Sequence, residues 1–176
     1  MLTLARFVKE TMDRNEAILF AALDGLTPDD LHRRIAPDAN PIGWTMWHLS
    51  RTQGNHVSSM AGKEHCYIDE GWHAKFGRPA ERADRGTGHT AEQVSVFRAP
   101  DVATLVDFYK AVRRHTDALL DALRPDDPER QVPAVRGDGT VPLHHRIQMF
   151  VMDNIQHTGQ IAYLRGLLRG RGWLAV

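Results

Sequence analysis

The sequence contains a single cysteine, Cys66, among its 176 residues. One cysteine excludes an internal disulfide and excludes a zinc site built from several thiolates. So few thiols are typical of proteins in a reducing compartment. The length fits one domain over residues 1–176 and is sufficient to bury a core without a structural metal. Any metal that the protein binds is therefore expected to serve its function.

Long apolar runs and an excess of one charge are also lacking. No segment approaches the roughly 18 consecutive apolar residues that read as a membrane span, and the opening residues MLTLARFVKE show no signal-peptide pattern. Lys plus Arg and Asp plus Glu each number 22, so no basic footprint indicates a nucleic-acid partner. We expect a cytoplasmic protein that binds neither nucleic acid nor membrane.

What the sequence does contain is helical periodicity. Apolar residues recur at three- and four-residue steps in four long segments, and no strand-like alternation competes with them. These segments are residues 3–23, 43–62, 102–123 and 142–169. Thr27 before Pro28, and Thr90 three residues before Gln93, are helix-start signals within the connections. The pattern predicts an all-α four-helix bundle with short extra helices in the connections.

Asp153 and His157 offer two metal ligands from one helix. They are four residues apart, which places both side chains on one face with Cβ atoms about 6 Å apart. A third ligand must come from another helix, and His48 lies between Trp47 and Leu49 in the second long helix. Two imidazoles and one carboxylate suit Zn²⁺, Ni²⁺ or Fe²⁺ with positions left for water or substrate. Spacing alone leaves two alternatives open: an ordinary Asp–His helix pair and a core histidine.

Three segments of the sequence resemble the DinB-like superfamily, which includes the N-terminal domain of mycothiol-dependent maleylpyruvate isomerase. The segments are GWTMWHL at 43–49, WHAKFGRP at 72–79 and DNIQHTGQ at 153–160. The resemblance implies a four-helix bundle of DinB-like type with His48, Asp153 and His157 as metal ligands. Relatives usually carry His or Glu at the position of Asp153, whose shorter side chain must start closer to the ion or reach it through a water.

Other polar residues near these ligands could contribute to a site. Gln160 could orient His157 or a bound water. His56, two turns after His48, could line the mouth of a pocket. Cys66 has no neighbour that clearly lowers its pKa, so we expect an ordinary thiol.

The remaining histidines and arginines have less specific expectations. His115 falls on the apolar stripe of the third long helix and is expected in the core. Solvated side chains are expected for His65, His73 and His89, and surface positions for Arg51, Arg78, Arg82, His144 and His145. The three arginines could alternatively receive an anionic substrate.

The resemblance implies a thiol-dependent enzyme. Characterised relatives include S-transferases, so the expected function is attack of a metal-activated low-molecular-weight thiol on an electrophilic substrate. Zinc is the foremost metal, with nickel or iron as alternatives. A metal-dependent hydrolase and a non-catalytic metal-binding stress-response protein remain alternative functions, and analogy with relatives suggests a homodimer.

Overall fold

The computed structural model describes residues 2–135, 137–170 and 172–174. Within these ranges the chain forms eight α-helices and one two-stranded sheet. The helices are α1 Leu4–Leu23, α2 Pro28–His32, α3 Ile42–Ala61, α4 Cys66–Asp69, α5 Trp72–Lys75, α6 Ala91–Val96, α7 Val102–Asp121 and α8 Leu143–Arg169; the strands are β1 Gln131–Pro133 and β2 Thr140–Pro142. The four long helices lie close to the segments expected from periodicity, so the predicted all-α fold class is confirmed.

The long helices pack in the cyclic order α1, α8, α3, α7. Contacts between α3 and α8 show their relative direction. His48, early in α3, meets His157 in the second half of α8. His56, later in α3, accepts a hydrogen bond from Arg146 near the start of α8. These two helices, which carry the predicted metal ligands, therefore run antiparallel.

A long connection follows from the direction of α3 and α7. Gln53 in α3 donates a hydrogen bond to Thr116 in α7 at 2.8 Å, and Met60 and Leu120 share one apolar cluster farther along both helices. Because α3 and α7 run parallel, the chain must return along the bundle between them. Residues 62–101 make this return, and their short helices α4, α5 and α6 add apolar side chains to the larger core cluster.

The short helices begin where local hydrogen bonding favours a helix start. Thr27 and Asp30 form a capping box around Pro28, and Thr90 and Gln93 form a second one at the start of α6. Both starts are those that the sequence predicted. Helices α4 and α5 were not predicted individually, because four residues are too few to show a period of 3.6.

The connection between α7 and α8 contains a short β-hairpin. β1 and β2 pair antiparallel with Val132 opposite Val141, and Val132 is buried in the smaller apolar cluster with Leu143 and Phe150. Strands of three residues are too short for alternation to be recognisable in the sequence. The hairpin closes this end of the bundle between α3 and α8.

The outer face of α8 is partly apolar. Ile155 is 47% exposed, and Met152 and Tyr163 are exposed as well. Across the described ranges, none of the helices is both long enough and apolar enough to traverse a bilayer.

Candidate metal centre

Helices α3 and α8 bring His48, Asp153 and His157 together. One ligand atom from each of the three residues lies within 4.8 Å of the other two. The two imidazole rings have centroids 4.9 Å apart and stand almost perpendicular, at 89°. His157 Nε2 lies 3.4 Å from Asp153 Oδ1 on the same helix. This is the set that the sequence singled out, in a geometry that could hold one cation.

The His48 ring is fixed by its surroundings. Its Nδ1–H donates to the backbone carbonyl of Arg85. A carbonyl oxygen can only accept, so the hydrogen is on Nδ1 and Nε2 keeps its lone pair. The ring also stacks on Trp44, with centroids 4.9 Å apart and planes within 8° of parallel. His48 therefore presents a ligating nitrogen in a set orientation.

His157 is held in the same tautomer by a residue of its own helix. Its Nδ1 lies 2.8 Å from Gln160 Oε1, and an amide oxygen accepts this hydrogen. Nε2 is left facing Asp153. Gln160 thus occupies the place that its suggested orienting role requires. Anchoring the outer nitrogen of a histidine to an oxygen acceptor is the arrangement found around metal-bound imidazoles.

Asp153 supplies the carboxylate at the boundary between core and solvent. Its side chain is 24% exposed, yet Oδ2 is buried and no described group donates a hydrogen bond to it. Buried acceptors in folded proteins are nearly always satisfied. A charged oxygen without a donor, close to two imidazole nitrogens, fits a cation.

The electrostatics of the two histidines differ. Burial lowers the pKa of His48, opposed by its hydrogen bond to the Arg85 carbonyl. Burial would also lower the pKa of His157, but its hydrogen bond to Asp153 and the carboxylate charge reverse this, and that pKa is raised. The Asp153 charge thus favours a positive charge at this point of the structure. A protonated imidazole or a cation can supply it.

Arg51 organises the segment that holds His48. It is fully buried at 0% exposure, and its guanidinium donates to the backbone carbonyls of Glu81 at 2.8 Å and Asp84 at 2.9 Å. Burial lowers the pKa of Arg51 to about 10. The expectation of a surface position was wrong. The signal was the spacing of Trp44, Trp47 and Arg51, which places all three on one inward face of α3.

A second set of contacts completes this segment. The Asp84 carboxylate pairs with Arg78 at 2.5 Å and with His89 Nε2 at 2.9 Å. His89 Nδ1 accepts from the Trp44 indole at 3.2 Å. His89 is therefore not the solvated side chain expected from its irregular sequence context. The network therefore ends at Trp44, whose ring stacks on His48.

Two other expectations for histidines were also wrong. His65 is fully buried, and its ring lies so close to Gly54 that a Cβ there would be 2.2 Å from the ring. Gly54 therefore leaves the space that the His65 ring fills. His115 is exposed and lies 2.7 Å from Glu70. It lies at the margin of the apolar stripe of α7, whose buried face is centred on Thr116.

Cys66 is an ordinary thiol, as expected. It is 4% exposed, and burial raises its pKa to about 12. A thiol with that pKa is protonated at neutral pH, so it is not a nucleophile.

A cavity of about 540 Å³ adjoins two of the three candidate ligands, His48 and Asp153, and is open to solvent. Its lining residues are His48, Thr52, His56, Arg85, Thr87, Val135, Val141, His145, Met149 and Asp153. His56 lies in the wall, only 4% exposed, which is deeper than the expected pocket mouth. Burial and the charge of Arg146 lower the pKa of His56 to about 4. The volume is in the range of small-molecule sites.

Comparison with known proteins identifies the family. The family model described as DinB superfamily matches residues 11–161. The chain belongs to the DinB superfamily. The matched range includes His48, Asp153 and His157, so all three ligand candidates lie within the DinB part of the chain.

A solved structure has the same fold over nearly the whole length of the chain. The crystal structure of a conserved protein from Enterococcus faecalis aligns with a TM-score of 0.86 at 22% sequence identity, covering 97% of this chain and 100% of that chain. At this identity the likeness shows a shared fold. No curated protein gives a significant match.

Proposed function

We propose that this DinB-superfamily protein is a divalent-metal-dependent enzyme, with His48, Asp153 and His157 as the metal ligands, that transfers low-molecular-weight thiols to electrophiles. One observation carries the metal assignment. In each imidazole the Nδ1–H donates a hydrogen bond to an oxygen acceptor. Both Nε2 lone pairs are therefore available beside the Asp153 carboxylate. Zinc is the expected metal, with nickel or iron as alternatives.

A purely structural role explains less of this geometry. An Asp–His helix pair accounts for the 3.4 Å contact between Asp153 and His157. It does not account for His48 reaching the same point from another helix, nor for the buried Asp153 Oδ2 without a donor. A cation would satisfy all three groups at once.

The ligand set suits activation of a nucleophile. A divalent ion held by three protein ligands and open at a further position lowers the pKa of a thiol or water that it binds. The protein supplies one carboxylate and two neutral imidazoles, so one of the two positive charges of the ion remains available to stabilise an anion. His48 and His157 keep their orientation through Arg85 and Gln160.

The cavity provides room for the reactants. It reaches His48 and Asp153 directly, so a thiol could approach the ligands from the solvent side. In the transfer to an aryl halide, the thiol sulfur bonds to the electrophilic carbon, the carbon–halogen bond breaks and releases halide with the bonding electron pair, and the thiol proton passes to solvent. The resemblance to thiol-dependent DinB-like enzymes supports a thiol, and not water, as the nucleophile.

Elemental analysis of tag-free protein tests the metal centre. We expect about one equivalent of zinc, nickel or iron in the parent protein, and none in His48→Ala and His157→Ala. Gln156→Ala, an exposed change on α8, should retain the metal. Parent protein that holds no metal and takes up none of the three would overturn the proposal.

Turnover then separates the functions. The metal-loaded protein is assayed with a chromogenic aryl halide and mycothiol, bacillithiol or glutathione, and separately with ester substrates. Thiol transfer that disappears in His48→Ala supports the S-transferase. Ester cleavage without thiol transfer would favour the hydrolase alternative, and a metal-loaded protein inert in both assays would favour a non-catalytic metal-binding protein.

A further inference from the structure

The cavity beside the metal ligands contains an arginine that the protein itself does not neutralise. Arg85 lines this cavity and is half-buried. No described carboxylate forms an ion pair with its guanidinium, because the adjacent Asp84 is engaged by Arg78 and His89. The backbone carbonyl of Arg85 binds His48, while its side chain is left for another partner.

The charge of Arg85, which lines the same cavity as His56, also affects two neighbouring groups. After burial and the charge of Arg146, the charge of Arg85 contributes to the lowered pKa of His56. After burial, it is also a cause of the lowered pKa of Arg146. The Arg85 charge therefore acts within the cavity, on the wall formed by His56.

Thr52 gives an independent indication of a ligand. It is 8% exposed and lines the same cavity, one turn after His48 on α3. Its buried hydroxyl has no hydrogen-bond partner among the described residues. A buried hydroxyl left without a partner loses the hydrogen bonds it would make in water. Thr87 and His145 add further polar groups to the cavity lining.

These groups share one chemical preference. A guanidinium and a hydroxyl are the donors that bind carboxylate or phosphate oxygens, and arginine does so with two parallel hydrogen bonds. Among the described residues that line the cavity, Asp153 is the only carboxylate, and it faces the two imidazoles. The cavity is thus positively charged away from the metal ligands.

We propose that the cavity binds the carboxylate or phosphate group of the enzyme's small-molecule substrate or thiol, with Arg85 and Thr52 as the anion-binding residues. This inference rests on the proposed function for the role of the bound molecule. Anion binding itself is a property of the metal-free chain. An anchored anionic group would hold the rest of the molecule beside His48 and Asp153, so the site selects anionic reactants.

Anion titration of the metal-free protein tests this assignment. Isotope-labelled protein, freed of metal and chelator, is titrated with inorganic phosphate and separately with succinate at constant ionic strength, and amide and guanidinium NMR shifts are followed. We expect saturable shifts centred on Thr52, Arg85 and Thr87. The tighter of the two probes tells whether the natural group is a phosphate or a carboxylate.

Variants give the quantitative test. Arg85→Gln should weaken binding by roughly tenfold to a hundredfold, the range for losing a charged hydrogen-bond donor. The anion affinity of Arg85→Lys should lie between those of the parent protein and Arg85→Gln. Thr52→Val should weaken anion binding by about threefold to tenfold. Arg114→Gln, at a 66% exposed side chain beside Glu70, is the matched control and should bind as the parent does. Arg85→Gln should fold normally, since its side chain pairs with no described carboxylate.

Two outcomes would overturn the inference: no saturable binding to the parent protein, or equal binding by the parent and Arg85→Gln. Metal content, measured on the same preparations, keeps the two proposals separate. Arg85-dependent phosphate or succinate binding in a protein that takes up no metal would support the anion site and reject the metal centre. Metal uptake by a protein whose anion binding is equal in the parent and in Arg85→Gln would support the metal centre and reject the anion site.

Discussion

Gln160 follows His157 by three residues on α8, and its Oε1 accepts the Nδ1 hydrogen of that ring at 2.8 Å. The contact fixes which nitrogen of His157 faces Asp153. Gln160 is itself exposed, so the contact adds little to the stability of the helix.

We predict that Gln160→Ala weakens metal binding by about tenfold to a hundredfold, as loss of the acceptor behind a ligating histidine does elsewhere. The unfolding midpoint of the metal-free protein should change little. Competition with a chromogenic chelator measures the affinity. Gln156→Ala is the control on the same helix, and equal affinities for the two variants would contradict the orienting role of Gln160.

Metal should stabilise the fold, because its ligands come from α3 and α8. At free metal of about 100 times Kd, the free energy of unfolding should rise by about 2.7 kcal/mol. Asp153→Asn should abolish most of this gain, while leaving the metal-free protein about as stable, since it neutralises a carboxylate oxygen that has no donor. Thermal unfolding with and without zinc measures both effects. A zinc-dependent rise of equal size in the variant would show that the ion binds elsewhere.

Gly86 is predicted to be essential for the position of His48. A Cβ at Gly86 would lie 2.7 Å from the Trp44 ring and 3.0 Å from His48 Nδ1, and its φ is +89°. Gly86→Ala should therefore cost about 3 kcal/mol or more and weaken metal binding. Gly88 has a similar φ of +83° with no atom within 4 Å of a built Cβ.

Gly88→Ala is accordingly the matched control for the backbone cost alone. It should lose only about 1–2 kcal/mol of stability and keep its metal affinity. Denaturant unfolding and chelator competition on both variants give the comparison. Similar losses of affinity in the two variants would mean that contact with His48 is not what matters.

Acid should destabilise the protein through His65. Burial, with the charge of Arg51, lowers the pKa of His65 from 6.5 to about 3. Between these values the unfolded chain binds a proton that the folded chain does not, so stability falls as pH falls, by about 1.4 kcal/mol per pH unit. The window opens at about pH 6.5 and closes at about pH 3.

The His65 side chain caps α4 by accepting a hydrogen bond from the Tyr67 N–H. His65→Asn removes the titrating group and keeps a residue that can cap a helix. Its absolute stability should be lower, because the ring fills the space against Gly54. Between about pH 6 and 4, its free energy of unfolding should nevertheless change less steeply with pH than that of the parent, by the slope that corresponds to about one proton. Urea unfolding at several pH values measures the slope, and identical slopes for parent and variant would refute a neutral buried His65.

The sequence predicted the bundle and the pairing of Asp153 with His157 because both depend on local spacing. Four apolar segments of helical period specify four long helices, and Asp153 with His157 must share a face at a separation of four residues. His48 was a candidate because of its apolar setting in the second long helix, and the family resemblance assigned it as the third ligand, since spacing within one helix does not reveal which other helix packs against it. The structure brings the three residues together.

Apart from the capping box at Thr90, the path of residues 62–101 was beyond such reasoning. The backbone there is fixed by tertiary contacts, chiefly the buried Arg51 guanidinium and the Asp84 carboxylate. No repeating sequence pattern links either residue to the groups that it binds, so the pairing could not be predicted. His65 and His89 were misjudged for the same reason, because their burial depends on where this segment folds back.

Arg85 meets the site through two chemically separate groups, its backbone carbonyl at His48 and its side chain in the cavity. Every amino acid has the carbonyl, so the His48 contact does not require arginine. A different side chain at position 85 would therefore change the charge and shape of the cavity while the backbone carbonyl kept its hydrogen bond to His48. The loop backbone and the loop side chain thus act on the candidate site independently.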